Sequence, residues 1–259
     1  MSDYLKRIAF IVTDIFGFLF RIIPFSVRKF LIKSLIFVES RINSGTADSL
    51  VRLFKVYDDL DLIINKSVMF YGKGMHPKHK LISYHDFFIN NIKPGESVLD
   101  IGCGSGYVAK SIADAYPQSM ITGIDFNEKN IMVARRHNNS QNLEFIHGDA
   151  TTYKFENNYE NIVLSNVLEH IDDRVNFLIK LSKSLKPKRI LIRVPFFERH
   201  WHVAMRKSLN MTYFSDPTHY IEHNLEEFNE EIKLSGLKVQ EIILRWGEIW
   251  SVCTTSERL

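Results

Sequence analysis

The sequence predicts an α/β fold in which helices cover a mostly parallel β-sheet. From residue 79 onward, apolar runs of four to six residues alternate with segments of helical periodicity, a pattern typical of strands linked by covering helices. The chain of 259 residues can form one large α/β domain of about 200 to 250 residues. Its 45% hydrophobic and 24% charged residues are typical of a globular protein.

Cysteine content and charge exclude several classes of protein. Cys103 and Cys253 are too few for a disulfide framework and lie in no cluster with zinc-site spacing, so we expect a cytoplasmic protein. The formal charge of +3 is unevenly distributed, because residues 1–38 have six basic and two acidic residues. Residues 39–259 have 27 basic and 28 acidic residues and lack the basic stripe of a nucleic-acid-binding protein. We therefore expect no nucleic-acid partner.

Residues 1–70 are predicted to form a helical N-terminal extension. The apolar run from Ile8 to Ile23 contains two charged residues and ends at Pro24, so it is shorter than the about 20 apolar residues of a membrane-spanning helix. A second helix is expected to begin at Ser26 as its N-cap. A further helical stretch covers residues 46–70, and its regularly spaced apolar residues are expected to be core: Leu50, Leu53, Phe54, Tyr57, Leu60 and Ile64.

The first 38 residues are both basic and rich in aromatic side chains. They contain seven of the 19 phenylalanines of the chain. One interpretation is peripheral contact with the inner membrane face, where lysine and arginine side chains meet anionic head groups. The other interpretation is a helical cap that packs on the main domain or on a second subunit. Both remain open at this point.

The main body is expected to contain seven strands and five helices. Only Trp246, Gly247 and their neighbours separate the last two strands, so these should form an antiparallel hairpin at the edge of the sheet. The predicted strands are about 97–101, 120–125, 143–146, 161–165, 189–194, 237–244 and 248–254. The predicted helices are roughly 79–91, 106–116, 127–139, 173–185 and 224–235.

The most informative segment is Val98-Leu99-Asp100-Ile101-Gly102-Cys103-Gly104-Ser105-Gly106. It is interpreted as a buried strand that enters a glycine turn, where backbone N–H groups of the next helix face a ligand. Asp125 ends the next strand, 21 residues after Gly104, and a carboxylate at this place can accept both hydroxyls of a ribose. The sequence therefore predicts a nucleoside ligand.

The residues around this turn favour an amino-acid-bearing nucleoside over a dinucleotide. Tyr107 occupies the third glycine position of a GxGxxG fingerprint, so close packing around a pyrophosphate is not supported. Asp100 would repel a phosphate but could meet an ammonium group. Phe126 can lie against an adenine face, and Asp149 can accept a proton from the adenine amino group.

Four segments in this order and spacing, VLDIGCGSG, GIDFN, HGDA and IVLSNVLEHI, resemble the motifs of class I S-adenosylmethionine-dependent methyltransferases. The resemblance is strongest to the small-molecule branch that includes quinone-biosynthesis enzymes, and it covers about residues 79–254. It implies a Rossmann-like, seven-stranded, mostly parallel sheet with an antiparallel last strand, in a domain of residues 71–259. The implied cofactor is S-adenosylmethionine, with contacts from Asp100, Gly102, Cys103, Gly104, Gly106, Asp125, Phe126, Asp149, Ala150 and Asn166.

Two histidines are the candidate catalytic residues. His170 follows the fourth strand and can act as a base near neutral pH, although a histidine at a helix start can instead hydrogen-bond to backbone. His219 lies in an insertion of about 28 residues between the fifth strand and the last helix, which is too long for an idle loop. We interpret this insertion as a substrate lid from which His219 could approach His170.

A divalent metal is a weaker possibility. The spacing of Asn166, Glu169 and His170, with His219 later in the chain, imperfectly resembles an ExxEH-plus-His pattern that binds magnesium in some quinone and RNA-end methyltransferases. Asn166 replaces the first glutamate of that pattern, which weakens charge compensation for the ion. A metal is therefore not favoured.

The expected function is transfer of a methyl group from S-adenosylmethionine to a small or lipid-linked acceptor. O-methylation of a saccharide or a quinone-like compound is preferred. The alternative is a non-catalytic cofactor-binding scaffold that acts through its N-terminal helices. Turnover on an acceptor would distinguish the enzyme from the scaffold.

Overall fold

The structure, a computed structural model, describes residue 17 and residues 21–43, 45–73, 76–138 and 140–255. The chain divides into two compact units, Met1–Gly74 and Met75–Leu259. The sequence had placed a boundary after residue 70.

The N-terminal unit contains two long helices, α1 (Phe25–Arg41) and α2 (Ala47–Tyr71). The expected helix from Ile8 to Ile23 lies mostly outside the described residues. The expected N-cap at Ser26 is wrong, because Pro24 holds the N-cap position. The carbonyl of Pro24 accepts the first helical hydrogen bonds, from the N–H groups of Val27 and Arg28.

Burial in this unit differs from the expectation for residues 46–70. Phe54 is buried, but the side chains of Leu60 and Ile64 are each 50% exposed. A helical spacing of apolar residues identifies the face that must be buried, but it does not identify the residues that pack against that face. Among the described residues, no helix has the length and apolar character needed to cross a membrane.

The second unit contains the predicted seven-stranded sheet, in the order β3-β2-β1-β4-β5-β7-β6. The first five strands pair in parallel, whereas β7 runs antiparallel to both β5 and β6. The predicted reversed last strand is therefore confirmed. The strands are β1 (Val98–Ile101), β2 (Ile121–Asp125), β3 (Leu143–His147), β4 (Asn161–Ser165), β5 (Arg189–Pro195), β6 (Leu237–Arg245) and β7 (Glu248–Thr255).

Helices link these strands near the predicted positions. The single helix expected over residues 79–91 is two helices, because Ser83 has a φ of +50° and a left-handed residue cannot continue an α-helix. The helices are α3 (Lys78–Leu81), α4 (Tyr84–Asn90), α5 (Tyr107–Ala115), α6 (Glu128–His137), α7 (Arg174–Leu185), α8 (Trp201–Ser208) and α9 (Leu225–Leu234). Short 3₁₀ turns cover Leu168–His170 and Phe197–Arg199.

The core lies on both faces of the sheet. Along β4, Ile162 and Leu164 belong to the cluster on one face, and Val163 belongs to the cluster on the other, as expected from the alternation of side chains in a strand. All three have no exposed surface. Since β1, β2 and β4 are parallel neighbours, their carboxyl ends lie at one edge of the sheet, where ligands bind in open α/β folds.

Candidate functional site

A glycine turn follows β1, and its three glycines have different surroundings. Gly102, Gly104 and Gly106 all have positive φ angles, of 65°, 54° and 79°. An added Cβ on Gly102 would lie 2.7 Å from Val167, and one on Gly106 would lie 2.5 Å from the ring of Phe145. An added Cβ on Gly104 would meet nothing within 4 Å. Gly102 and Gly106 therefore permit close packing, while Gly104 leaves open space where a ligand can approach.

Asp125 lies across from this turn at the end of β2. Its Oδ2 accepts a hydrogen bond from the backbone N–H of Gly104 at 2.9 Å, and its Oδ1 accepts one from the N–H of Asn127 at 2.8 Å. The side chain of Asn130 also donates to Oδ1, at 3.3 Å. An ionised carboxylate has about four acceptor positions, so these three bonds leave one position, on Oδ2, for a ribose hydroxyl of the ligand that the sequence assigns to Asp125. The carboxylate also shapes the glycine turn, which the sequence did not indicate.

Two buried oxygen acceptors beside the turn lack donors in the described part of the chain. Oδ2 of Asp100, which is 1% exposed, and Oδ1 of Asn166 have no hydrogen-bond partner. Burial raises the pKa of Asp100 to about 7, an effect that a hydrogen bond from Ala109 opposes and the charge of Asp125 reinforces. An unpaired buried acceptor is unfavourable. These two atoms therefore fit a ligand that brings N–H or O–H donors, such as an amino-acid-bearing nucleoside.

Asn166 has a backbone conformation that supports its place at the site. Its φ is +58°, a left-handed value that asparagine tolerates better than most residues. Its N–H donates to the carbonyl of Arg193 at 2.8 Å. The turn after β4 is thereby fixed against β5.

The remaining residues expected to contact the cofactor occupy different environments. Phe126 is 76% exposed, so its ring is accessible to a stacking partner. Asp149 is exposed, and its Oδ1 accepts hydrogen bonds from the N–H and the hydroxyl of Thr151. Ala150 is half-buried. Cys103 is buried, which raises the pKa of its thiol, and its N–H donates to the carbonyl of Ile124 at 3.1 Å.

The structure brings His170 and His219 together, as the sequence suggested. Their ring centroids are 4.6 Å apart, with the rings nearly perpendicular. The Thr218 hydroxyl donates to Asp216 at 2.5 Å and lies 2.9 Å from Nδ1 of His170. Since a hydroxyl has one proton, Nδ1–H of His170 is the donor to Thr218. Nε2 of His170 is then the nitrogen with a free lone pair, as a proton acceptor requires.

Glu169 lies beside the two histidines and is completely buried. Neither carboxylate oxygen accepts a hydrogen bond from another described residue. One ligand atom from each of Glu169, His170 and His219 lies within 4.8 Å of the other two. An oxygen with two imidazole nitrogens is a donor set that divalent metals accept, so these are the residues that could hold such an ion.

The insertion that contains His219 is an ordered segment with its own hydrogen-bond centre, Glu222. The Glu222 carboxylate is paired with Arg199, accepts from the N–H and hydroxyl of Ser215, and lies 3.4 Å from Nδ1 of His219. Burial would raise the pKa of Glu222, but the bonds from His219 and Ser215 lower it. The N–H of Tyr220 also donates to the carbonyl of Glu169 at 2.8 Å. The insertion is thus attached beside His170.

A second group of contacts attaches the end of the insertion to the helices behind it. His223 is fully buried, and its Nε2 lies 2.8 Å from Glu231 on α9. Arg174 makes an ion pair with the same carboxylate at 2.7 Å. Burial would raise the pKa of Glu231, but the bonds from His223 and Arg174 hold it at about 2. The role of the insertion as a substrate lid remains a prediction.

Sequence reasoning missed Arg193, a buried cation at this edge of the sheet. Arg193 is 4% exposed, forms two hydrogen bonds to Glu248, and lies over the ring of Tyr84 at 3.9 Å from its centroid. It also donates to the Ser165 hydroxyl at 3.2 Å. The indole N–H of Trp250 also donates to Glu248, at 2.8 Å. The sequence feature that could have identified Arg193 is its position as the single charged residue in the apolar run Ile190-Leu191-Ile192-Arg193-Val194.

Tyr84 and two histidines complete this side of the site. The Tyr84 hydroxyl is 2.7 Å from Nδ1 of His79, and Nδ1 of His85 is 2.7 Å from the Ser111 hydroxyl. Burial lowers the pKa of both His79 and His85 to about 4 and raises the pKa of Tyr84 to about 12. All three side chains are therefore neutral near pH 7.

Comparison with known proteins agrees with this geometry. Residues 98–188 match the family described as "Methyltransferase domain". The chain is 31% identical over 111 residues to a fatty-acid O-methyltransferase of Mycolicibacterium smegmatis, covering 42% of this chain and 40% of the relative. It is 30% identical over 95 residues to a malonyl-[acyl-carrier protein] O-methyltransferase of Bacillus anthracis, covering 37% and 35%.

A third curated relative is a mitochondrial ubiquinone biosynthesis O-methyltransferase of Schizosaccharomyces pombe, 30% identical over 107 residues, with 39% of this chain and 38% of the relative covered. The chain spans less than half the length of each of these three relatives.

Solved structures share the fold. The magnesium protoporphyrin IX methyltransferase of Synechocystis PCC 6803, solved with bound SAH, superposes with a TM-score of 0.55 at 16% identity. The match covers 69% of this chain and 83% of that one. The mitomycin 7-O-methyltransferase MmcR gives a TM-score of 0.56 at 16% identity, with 72% and 56% covered. With the reversed β7 strand and the glycine turn after β1, these structures show that the chain has the fold of those methyltransferases, and residues 98–188 match the methyltransferase domain.

Proposed function

We propose that this protein transfers a methyl group from S-adenosylmethionine to an oxygen atom of a small or lipid-linked acceptor. The observation that carries the proposal is the pair of unpaired buried acceptors, Asp100 Oδ2 and Asn166 Oδ1, beside the open space at Gly104. The methionine part of the donor offers an ammonium group, and its ribose offers two hydroxyls. Asp100 is suited to the ammonium, and Asp125 to the ribose.

The chain's own residues would promote transfer in two ways. Methyl transfer is an in-line displacement at a sulfonium carbon, so the site must hold the acceptor oxygen in line and remove its proton. His170 is the proposed proton acceptor, because its Nδ1–H donates to Thr218 and leaves Nε2 free. His219 lies against it in the insertion, where it would contact the acceptor.

The three curated relatives described above are all named as O-methyltransferases, which supports oxygen as the methylated atom. Two of their names specify a fatty acid and malonyl-[acyl-carrier protein]. The acceptor we favour for this chain is a saccharide or a quinone-like compound. We expect it to be neutral or weakly charged, because Arg193 is already neutralised by Glu248.

Two measurements test the proposal. Isothermal titration with S-adenosylmethionine and with its demethylated product reports cofactor binding. Incubation of the protein and isotopically labelled methyl donor with a cell extract, followed by mass spectrometry, reports the acceptor and the atom methylated. A labelled ether or ester is the expected product. Cofactor binding without a labelled product in any extract would support a non-catalytic scaffold, and absence of cofactor binding would contradict both functions.

A further inference from the structure

We propose that helix α1 is a docking surface for an anionic lipid bilayer. The inference concerns the N-terminal unit and is independent of the proposed reaction. It rests on the side-chain exposure of α1, on its charge, and on the contrast between α1 and α2.

Helix α1 exposes apolar side chains that a helix of a water-soluble protein would normally bury. None of its residues is buried. Val27, Leu31, Leu35 and Val38 follow the spacing of one helix face and are 46%, 44%, 72% and 59% exposed. Contiguous exposed apolar surface of this kind marks an interaction site.

The charge of the same helix indicates the partner. Helix α1 contains four basic residues and one acid, Glu39. That acid forms an ion pair with Arg52 of α2 at 2.5 Å, so its charge is compensated within the unit. Lys29 and Lys33 are exposed on the remaining surface. A basic helix with exposed aromatic and aliphatic side chains is the pattern of a helix that lies in the head-group region of a membrane.

Aromatic rings and cations are paired along this helix. The guanidinium of Arg41 lies 4.4 Å from the ring centroid of Phe37, and that of Arg28 lies 5.9 Å from the ring of Phe25. An amphipathic arginine can keep its charge at the head groups while its neighbouring ring enters the acyl boundary. Since no helix of the described residues can cross a membrane, α1 would lie on the surface.

The same charges argue against a second copy of this chain as the occupant. In a symmetric dimer the same patch contacts itself, so contact through α1 would place basic side chains against basic side chains, and like charges across an interface are unfavourable. Helix α2 also exposes apolar residues, including Leu60 and Ile63. Its sequence carries Asp58, Asp59 and Asp61, however, which anionic lipids would repel.

The test uses the full chain and vesicles of phosphatidylcholine with or without phosphatidylglycerol, in a sedimentation assay. We expect binding to the anionic vesicles that weakens as salt increases, and little binding to phosphatidylcholine alone. Each basic residue near such a surface contributes about 1 kcal/mol. The double variant Lys29→Glu and Lys33→Glu should therefore lose at least about thirtyfold in partitioning.

Matched variants on α2 make the test specific. Lys55→Glu with Lys66→Glu gives the same change in net charge, and both lysines are exposed; this variant should retain binding within about threefold. Leu31→Gln with Leu35→Gln should weaken binding, whereas Leu60→Gln with Ile63→Gln should not. Circular dichroism checks that each variant is folded.

Three results would overturn the proposal. One is the absence of sedimentation with either kind of vesicle, and another is equal binding to neutral and anionic vesicles. The third is that Leu31→Gln with Leu35→Gln converts an oligomer to a monomer while vesicle binding is unchanged, which would assign the surface to protein contact.

Discussion

The backbone N–H of Gly104 donates a hydrogen bond of 2.9 Å to Oδ2 of Asp125. Residues 21 positions apart are thereby joined at the edge of the sheet where β1 and β2 end. The carboxylate proposed to bind the ribose therefore also holds the glycine turn in shape. In this proposal, ligand binding and the local structure of the turn depend on one side chain.

Replacing Asp125 with alanine should remove cofactor binding. The variant loses the acceptor for the ribose hydroxyls and the bond to Gly104, and each bond to a charged group contributes about 1.5 to 3 kcal/mol. We expect an affinity loss of at least about a hundredfold by isothermal titration. Asp114→Ala, which removes an exposed acid paired with Lys110, is the control. Unchanged affinity of Asp125→Ala would refute the ribose assignment.

Alanine at Gly106 should mainly lower stability, whereas alanine at Gly104 should mainly weaken cofactor binding. At Gly106 the new Cβ would lie 2.5 Å from Phe145 and 3.2 Å from Ala134, so we expect a loss of about 2 to 4 kcal/mol in the free energy of unfolding. At Gly104 there is space for the Cβ, and only the strain of a positive φ, about 1 kcal/mol, remains. Gly104→Ala should nevertheless weaken cofactor binding at least tenfold. Thermal unfolding and titration on the same samples separate the two effects.

Cofactor affinity should increase with pH in a manner that depends on Asp100. Burial raises the pKa of this carboxyl to about 7, and only the ionised form attracts the ammonium of the donor. Affinity should therefore rise about tenfold per unit as pH approaches 7 from below and level off above it. Asp100→Asn should bind more weakly at pH 8 with a nearly flat profile. An unchanged slope in that variant would assign the dependence to another group.

Asp100 should also make the stability of the cofactor-free protein depend on pH, and this stability should fall with increasing pH where cofactor affinity rises. In the unfolded chain an aspartate ionises near its ordinary pKa of 3.8, whereas in the fold the pKa of Asp100 is about 7. The unfolded state then binds fewer protons between these values, so the cofactor-free protein loses stability as pH rises through this window. Asp100→Asn should show a smaller loss, measured as thermal midpoints across that range.

His170→Ala should lower turnover far more than cofactor affinity. Removal of a general base typically costs about 10² to 10⁴ in rate, and Nε2 of His170 is the proposed base. His137→Ala, at an exposed position on α6, is the matched control. Equal losses in turnover and cofactor affinity would show that His170 has a structural role instead.

Chelation should leave methyl transfer intact. Among Glu169, His170 and His219 only one side chain is a carboxylate, and Asn166 brings no charge to compensate a divalent ion. Activity is measured after dialysis against a chelator and after addition of Mg²⁺, Mn²⁺ or Zn²⁺. Loss of activity that one of these ions restores would assign the three residues to a metal centre.

The local sequence pattern was sufficient to predict the strands of the sheet and the candidate site residues at its edge. Period-two and buried apolar runs located the strands, and the short connection at Trp246 and Gly247 required an antiparallel last pair. The glycine turn and Asp125 followed from spacing alone. Ser83 shows where such reasoning stops, because its left-handed conformation splits a helix that the apolar spacing predicts as continuous.

By itself, the sequence determined the α/β fold, the family motifs and the residues proposed to bind the nucleoside, because strand periodicity and tight turns depend on neighbouring residues. Only the tertiary structure decided which distant side chains meet: Arg193 with Glu248 and Tyr84, Glu222 with Arg199, and His170 with His219. It also decided that Asp100 and Asn166 keep unpaired oxygens. These properties depend on burial and on contacts between segments far apart in the chain, which short-range patterns do not encode.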